Sequence, residues 1–262
     1  MTFESPTTLG TTGISVGRLG VASSYRAPAA AYEEAFERGC NYFTWGSFIR
    51  CRSKEFEGAA RSLVANGHRS RMVLGVISYA HLAFLTERFL RQGLKKLGTD
   101  YADVLLLGYF SKRPPQRVLD GASKLKDNGM VRAIGITTHK RTLVPELHRE
   151  GLLDVYHVRY NAVHRGGEKD LFPHVMGEDK PGIVAFTATC WGRLLSGKRM
   201  PPGEDPPSAA DCYRFALTHP AVDLVLTGPR TLEQMRENLA VLDRGPMSQE
   251  ELERMRRIGE QI

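Results

Sequence analysis

The sequence predicts an α/β fold, a (β/α)8 TIM barrel with an N-terminal β-hairpin and a C-terminal helix. Eight short apolar runs rich in β-branched residues alternate with helical patterns along 262 residues. Strands apolar on both faces, separated by helices, belong to a parallel sheet covered on both sides. Eight such units favour a closed barrel over an open doubly wound sheet, and no G-x-G-x-x-G follows the first run to argue the contrary. No linker divides the chain, so residues 1–262 read as one domain, with the Pro/Gly-rich stretch 201–207 as a surface loop.

The hairpin spans residues 9–16 and turns at Gly13. Strands follow at 19–23, 41–44, 72–78, 103–108, 131–137, 154–159, 182–187 and 222–227. A helix over 29–38 stops at Gly39, a residue suited to the left-handed C-terminal position. Thr86 is expected to cap a helix carrying Phe89, Leu90, Leu94 and Leu97 on one stripe. Helices at 116–128 and 211–218 end at Gly129 and before Pro220. Ser248 and Glu251 open the last helix with the spacing of a capping box.

Bulk properties narrow the function. With 42% hydrophobic and 25% charged residues the chain reads as soluble and globular. No apolar run approaches a membrane span, and MTFESPTTLG lacks the regions of a signal peptide. Cys40, Cys51, Cys190 and Cys212 are scattered without a C-x-x-C pair, which points to the reducing cytoplasm. The net charge of +7 is dispersed among acids, as in KEFEGAARS and EELERMRR, so nucleic acid is not the expected partner. A basic surface also steers an anionic cofactor or a small-molecule substrate. His164 and His174 have no carboxylate at a telling spacing, so no metal is expected.

The richest stretch is VDLVLTGPRTLEQMREN, residues 222–238. A buried strand delivers Gly228 and Arg230 to a new helix whose cap and third residue are Thr231 and Gln234. Free backbone N–H groups and the positive end of the helix dipole form an anion site there, and Arg230 adds a planar fork suited to phosphate. In TIM barrels phosphate sites favour the loops after strands seven and eight, and this is the loop after strand eight. The strand-seven loop, FTATCWGRLLSGKR, matches G-x-x-x-x-G-K at Gly192, Gly197 and Lys198. Arg199 stands where a P-loop needs a magnesium-binding hydroxyl, so that motif is set aside.

Taken in order, these segments resemble the aldo-keto reductase family. LGTTGISVGRLGVA, GLKKLGTDYADVLLL, KLKDNGMVRAIGITTH, HVRYN, GIVAFTATCWGRLLSGK and LTGPRTLEQMREN are each similar to a family motif. The resemblance implies a nicotinamide cofactor, NADP(H) in preference to NAD(H), because a cationic fork at Arg230 gains more from an added phosphate. By position, Thr137, Thr138 and His157 replace the residues that hold the carboxamide, and Phe186 the tyrosine that stacks on the nicotinamide. Thr187, Thr189, Gly192 and Lys198 line the pyrophosphate. Gly228, Arg230, Gln234 and Asn238 take the 2′-phosphate and adenine.

The family's Asp, Tyr, Lys and His tetrad is missing. Thr44 replaces the aspartate, Ile77 or Ser78 the lysine and Gly108 the histidine, while the tyrosine position falls near Phe48 or Ile49. Tyr79, Tyr109 and His139 adjoin these places and are the candidate proton donors. Strand alternation leaves open whether the two tyrosines reach the pocket or face the wall. The expected function is thus an NADP(H)-binding oxidoreductase acting on a carbonyl or related small molecule through a non-standard proton donor. Two other readings stay open: a catalytically silent nucleotide-binding sensor or partner protein, and a barrel lyase or isomerase. A short loop after strand four and the ending at Ile262 lead us to expect a pocket that is open or completed by another chain.

Overall fold

A computed structural model of the protein describes residues 2–46 and 53–262. Phe48 and Ile49, the candidate tyrosine positions, lie outside the described residues. Two short strands, β1 (Thr7–Thr8) and β2 (Ser15–Val16), pair antiparallel as the expected hairpin. Eight parallel strands follow: β3 (Leu19–Ala22), β4 (Tyr42–Gly46), β5 (Val73–Ser78), β6 (Ala102–Gly108), β7 (Val131–Thr138), β8 (Val155–Arg159), β9 (Gly182–Phe186) and β10 (Leu224–Thr227). Each pairs with the next, and β10 returns to β3, so the sheet is a closed barrel. The eight expected strands are all present, with ends moved by one or two residues.

Between the strands lie α1 (Ala29–Glu37), α2 (Lys54–Ala65), α3 (Ala83–Leu97), α4 (Gln116–Asp127), α5 (Val144–Arg149), α6 (Gly167–Asp170), α7 (Ala209–Thr218) and α8 (Leu232–Leu239), with α9 (Gln249–Glu260) last. The expectation for α3 needs correction. Leu82 is the extended cap residue, and Thr86 lies inside the first turns, where its hydroxyl donates to the Leu82 carbonyl at 3.2 Å. A threonine that bonds back four residues sits within a helix and does not cap it. Helix α7 starts earlier than expected because Ser208 and Asp211 form a reciprocal capping box. Phe56, Ala59, Ala60 and Leu63 bury one face of α2, a helix the sequence reading passed over despite this spacing.

The barrel interior is a separate apolar cluster. Strand alternation sends Tyr42, Val73, Val104, Leu106, Ala133, Val155, Val184 and Leu224 inward, where they meet Leu9, Ile14 and Val16 of the hairpin region. The hairpin therefore plugs the N-terminal end of the barrel. A Cβ at Gly182 would lie 2.6 Å from Leu9 Cγ, so that close approach requires glycine. Buried Asp223 ties the plug down by accepting from the Gly10 and Ile183 backbone N–H groups at 3.2 and 2.8 Å. The larger core lies outside the sheet, between strands and helices.

One polar pair crosses the interior. The Tyr42 hydroxyl and His157 Nε2 are 2.7 Å apart, and His157 is 2% exposed. Burial pushes the imidazole pKa down to about 3, so His157 is neutral over the useful pH range.

Two outcomes follow from this interior. Leu9→Ala should cost about 2–5 kcal/mol by opening a cavity against Gly182, read as a lower urea midpoint with an unchanged m-value. For His157, the unfolded chain binds a proton between about pH 6.5 and the lowered folded value, and the folded chain does not. Its contribution is complete above that window and is lost as pH falls through it, at up to about 1.4 kcal/mol per pH unit. His157→Gln should therefore lose less stability than the native chain between about pH 7.5 and about pH 4.5. An equal loss in both proteins would contradict a buried neutral imidazole.

Candidate active site

With the N-terminal end plugged, the open end of the barrel is the C-terminal one, where the loops after the strands meet. A cleft of about 580 Å³ occupies it. Thr44, Ile77, Thr137, His157, Phe186 and Leu226 line it from six different strands. Each is the last or nearly the last inward residue of its strand, which is where TIM barrels place their chemistry.

Alternation decides between Ile77 and Ser78. Ile77 lines the cleft, whereas Ser78 is 1% exposed, faces the helix layer and accepts from the Ala80 N–H at 3.3 Å. Gly108 leaves a gap that Tyr79 fills: a Cβ there would lie 2.7 Å from Tyr79 Cδ1. The Tyr79 ring stacks on Tyr109, with centroids 5.1 Å apart and planes 19° from parallel. Both rings line the cleft, so neither is turned into the wall. Tyr109 holds φ at +56° and is 55% exposed. A left-handed non-glycine residue at a strand end is a local cost that the surrounding fold must sustain.

Of the adjacent threonines, only Thr137 faces the cleft. Thr138 does not: it is 2% exposed, donates to the Phe110 carbonyl at 3.0 Å and accepts from the Lys140 N–H at 3.0 Å. Successive strand residues point to opposite faces, so one of any such pair is turned away. His139 follows at the rim and meets the Phe186 ring edge-on at 5.4 Å. Desolvation and the neighbouring Arg159 guanidinium hold its pKa below the ordinary histidine value.

The loop after β9 is backbone-strained. Thr187, Cys190 and Trp191 have φ of +61°, +50° and +55°, and Gly192 has +82°. For β-branched Thr187 this conformation is unusual. The Asn161 side chain pins it, donating to the Thr187 carbonyl at 2.7 Å. Thr189 accepts from the Gly192 N–H at 3.2 Å, and Thr187, Thr189 and Gly192 all reach the cleft. Lys198 is exposed and is not among the lining residues.

The junction of β10 and α8 closes the circle. Gly228, Arg230 and Gln234 line the cleft, with Arg230 and Gln234 exposed. Thr231 caps α8 by accepting from the Gln234 N–H at 3.2 Å. The reciprocal arm of the expected box reaches one residue further back, where Gln234 Oε1 accepts from the Arg230 N–H at 2.8 Å. Asn238 does not reach the cleft. It is 6% exposed and donates to Thr227 Oγ1 at 2.8 Å, a hydroxyl that also meets Tyr213 at 2.9 Å.

Sequence reasoning placed Arg159 with His157 on strand six among the groups that could replace the tetrad, but missed Tyr25 and Trp191 as residues of the site. The Tyr25 ring lies over Gly228, where a Cβ would come within 2.2 Å of it. Tyr25 and Trp191 follow strand ends, and that placement alone was the available signal. The described lining residues include no carboxylate and one permanent cation, Arg230. Among the described residues no group of three or more His, Cys, Asp or Glu is placed to hold a metal. No described helix is long and apolar enough to cross a membrane.

Known proteins agree with this architecture. The sequence pattern of the aldo/keto reductase family matches residues 8–209. The aldo-keto reductase AKR11C1 from Bacillus halodurans, in its holo form, has a TM-score of 0.79 at 20% identity, covering 97% of this chain and 95% of that one. Its apo form gives 0.79 at 21% identity with the same coverage. No curated protein matches the sequence. With the family pattern spanning most of its length and the same closed barrel behind it, the chain belongs to the aldo/keto reductase family of oxidoreductases.

Proposed function

We propose that this protein is an NADP(H)-dependent oxidoreductase acting on a carbonyl or related small molecule, with a proton donor other than the usual tetrad. The observation that carries the reading is the carboxylate-free cleft with the Arg230 fork at one end. When bound, the nicotinamide supplies or accepts a hydride at C4. The residues present fit such a group. Arg230 offers two parallel N–H donors to a 2′-phosphate. Glu233 already engages its own backbone N–H and the Thr231 hydroxyl, so the phosphate relies on the fork more than on the helix terminus. Phe186 offers a ring face, braced edge-on by His139. Thr137 presents a hydroxyl beside it for the carboxamide.

Proton delivery falls to groups around Tyr109. Tyr79, Tyr109 and His139 all line the cleft, and no lysine does so among the described residues. Desolvation and the Arg159 charge both disfavour the protonated form of His139, holding its pKa below the ordinary histidine value. It serves as an acid only where the solution is acidic enough to charge it. The silent nucleotide-binding reading draws on Thr44, Ile77 and Gly108, none of which titrates usefully at the former tetrad positions. Binding with no turnover on any carbonyl would favour it. Failure of both nicotinamide cofactors to raise thermal stability would favour a lyase or isomerase.

Two measurements test the main reading. Arg230→Ala should weaken NADPH about 10–100-fold, the loss of about 1.5–3 kcal/mol expected of a charged hydrogen-bonded contact, and weaken NADH far less. Titration of Trp191 fluorescence checks it, and equal weakening of both cofactors contradicts a 2′-phosphate at Arg230. Carbonyl reduction through His139 should rise as pH falls below the ordinary imidazole range. His139→Gln should flatten that limb, while a limb that survives the substitution assigns the proton to another group.

A further inference from the structure

Arg159 is a cation at this mouth whose guanidinium meets no acceptor among the described residues. It ends β8 two residues beyond His157, on the inward side, with its backbone in register with Phe186. The side chain is half-buried. Its Cζ lies 5.8 Å from the centroid of the Trp191 ring, and, after desolvation, its charge is the next cause lowering the pKa of both His139 and His164. The guanidinium therefore stands among Trp191 and two imidazoles.

The arginines on the neighbouring loops have acceptors. Arg141 pairs with Asp170 at 2.6 Å and Arg165 with Glu260 at 2.8 Å. Arg193 reaches the Ile262 carbonyl. Among the described residues no carboxylate or hydrogen-bond acceptor meets Arg159, and residues 47–52, SFIRCR, contain no acid. A half-buried guanidinium with five donors gains most from an anionic acceptor that water replaces poorly.

Arg159 is not itself a lining residue of the main cleft but stands against Trp191, which is, and a second hollow of about 520 Å³, lined by Phe110, Lys140 and Thr142 among others, adjoins that cleft. It shares Tyr109 and His139 with the main cleft, so the two are continuous. Lys140 adds a second cation with no carboxylate partner among the described residues. Arg230 follows β10 and Arg159 ends β8, with β9 and Phe186 between them. The chain thus offers one cationic end for the cofactor phosphate and another beside the candidate donors.

We infer that the substrate of this site carries a carboxylate or phosphate group that docks on Arg159, with its remaining body over Tyr109 and Phe110. This deepens the oxidoreductase reading and rests on it for the carbonyl. The docking itself is a binding event that needs no turnover. A bidentate fork against Trp191 selects a planar anion, and the surrounding rings take an aromatic or extended apolar body.

The test compares 4-carboxybenzaldehyde with benzaldehyde by calorimetry on the full chain, with and without NADPH. The carboxylated aldehyde should bind at least about 10-fold tighter to the native protein, the loss or gain of one charged hydrogen-bonded contact. Arg159→Gln should erase the difference, and Arg159→Lys should restore part of it. NADPH affinity of Arg159→Gln should stay within about 3-fold of native, a change below the worth of such a contact. Equal affinity of native protein for the two aldehydes overturns the inference. So does an NADPH loss in Arg159→Gln as large as that in Arg230→Ala, which would put the cofactor's pyrophosphate on Arg159. Should NADPH fail to bind while carboxylate discrimination persists, the oxidoreductase reading fails and the anion site stands.

Discussion

Closure of β10 onto β3 fixes where every functional side chain points. Once Val225 lies opposite Leu19 and Leu226 opposite Gly20, the pleat of all eight strands is phased around the ring. A slip of one residue in any strand would exchange its cleft and helix-facing sets. Thr137 and Thr138 show what that phase decides: the first reaches the cleft and the second bonds into the loop carrying Phe110. Ile77 and Ser78 divide in the same way. The hairpin reinforces the arrangement by filling the N-terminal end with Leu9, Ile14 and Val16. Chemistry is left only the opposite end.

At that end the charge is unevenly distributed. On the β4 and β5 side of the mouth the cleft is lined by Thr44 and Ile77, neither of which carries a charge. The permanent cations of the mouth now stand on the β8 and β10 side, as Arg159 and Arg230. His157 contributes none, being buried and neutral against Tyr42. A hydride donor and acceptor need mainly to be held close, which apolar and neutral walls allow. Proton transfer is more demanding, and at this mouth the proton affinity of His139 is lowered by desolvation and by Arg159.

The barrel was legible because its signals are long-range and redundant. Eight apolar runs, separated by stops such as Gly39 and Gly129, leave little freedom in topology. Capping at Ser248 and Thr231 was readable because both ends of each pair lie three residues apart. The cap of α3 was misplaced because Thr86 resembles an N-cap in sequence, while Leu82 takes the extended conformation that starts the helix. Asn238 matched a motif but is consumed by Thr227. Arg159 could be placed at the end of its strand from the sequence, but its lack of an acceptor among the described residues is a three-dimensional fact that no local pattern records.

That absence bears on how the site works once a ligand arrives. An anion on Arg159 cancels much of the positive field that now falls on His139 and His164. Because the like charge is one of the causes depressing both imidazoles, its neutralisation raises their affinity for protons. Docking of an anionic substrate and charging of His139 are then favourably coupled, each promoting the other by thermodynamic linkage. On the proposed reading, His139 holds a proton less tightly in the empty cleft and more tightly once an anion is docked on Arg159. A fixed lysine beside a tyrosine keeps its acid tuned at all times, whereas this arrangement makes the tuning conditional on the substrate's own charge.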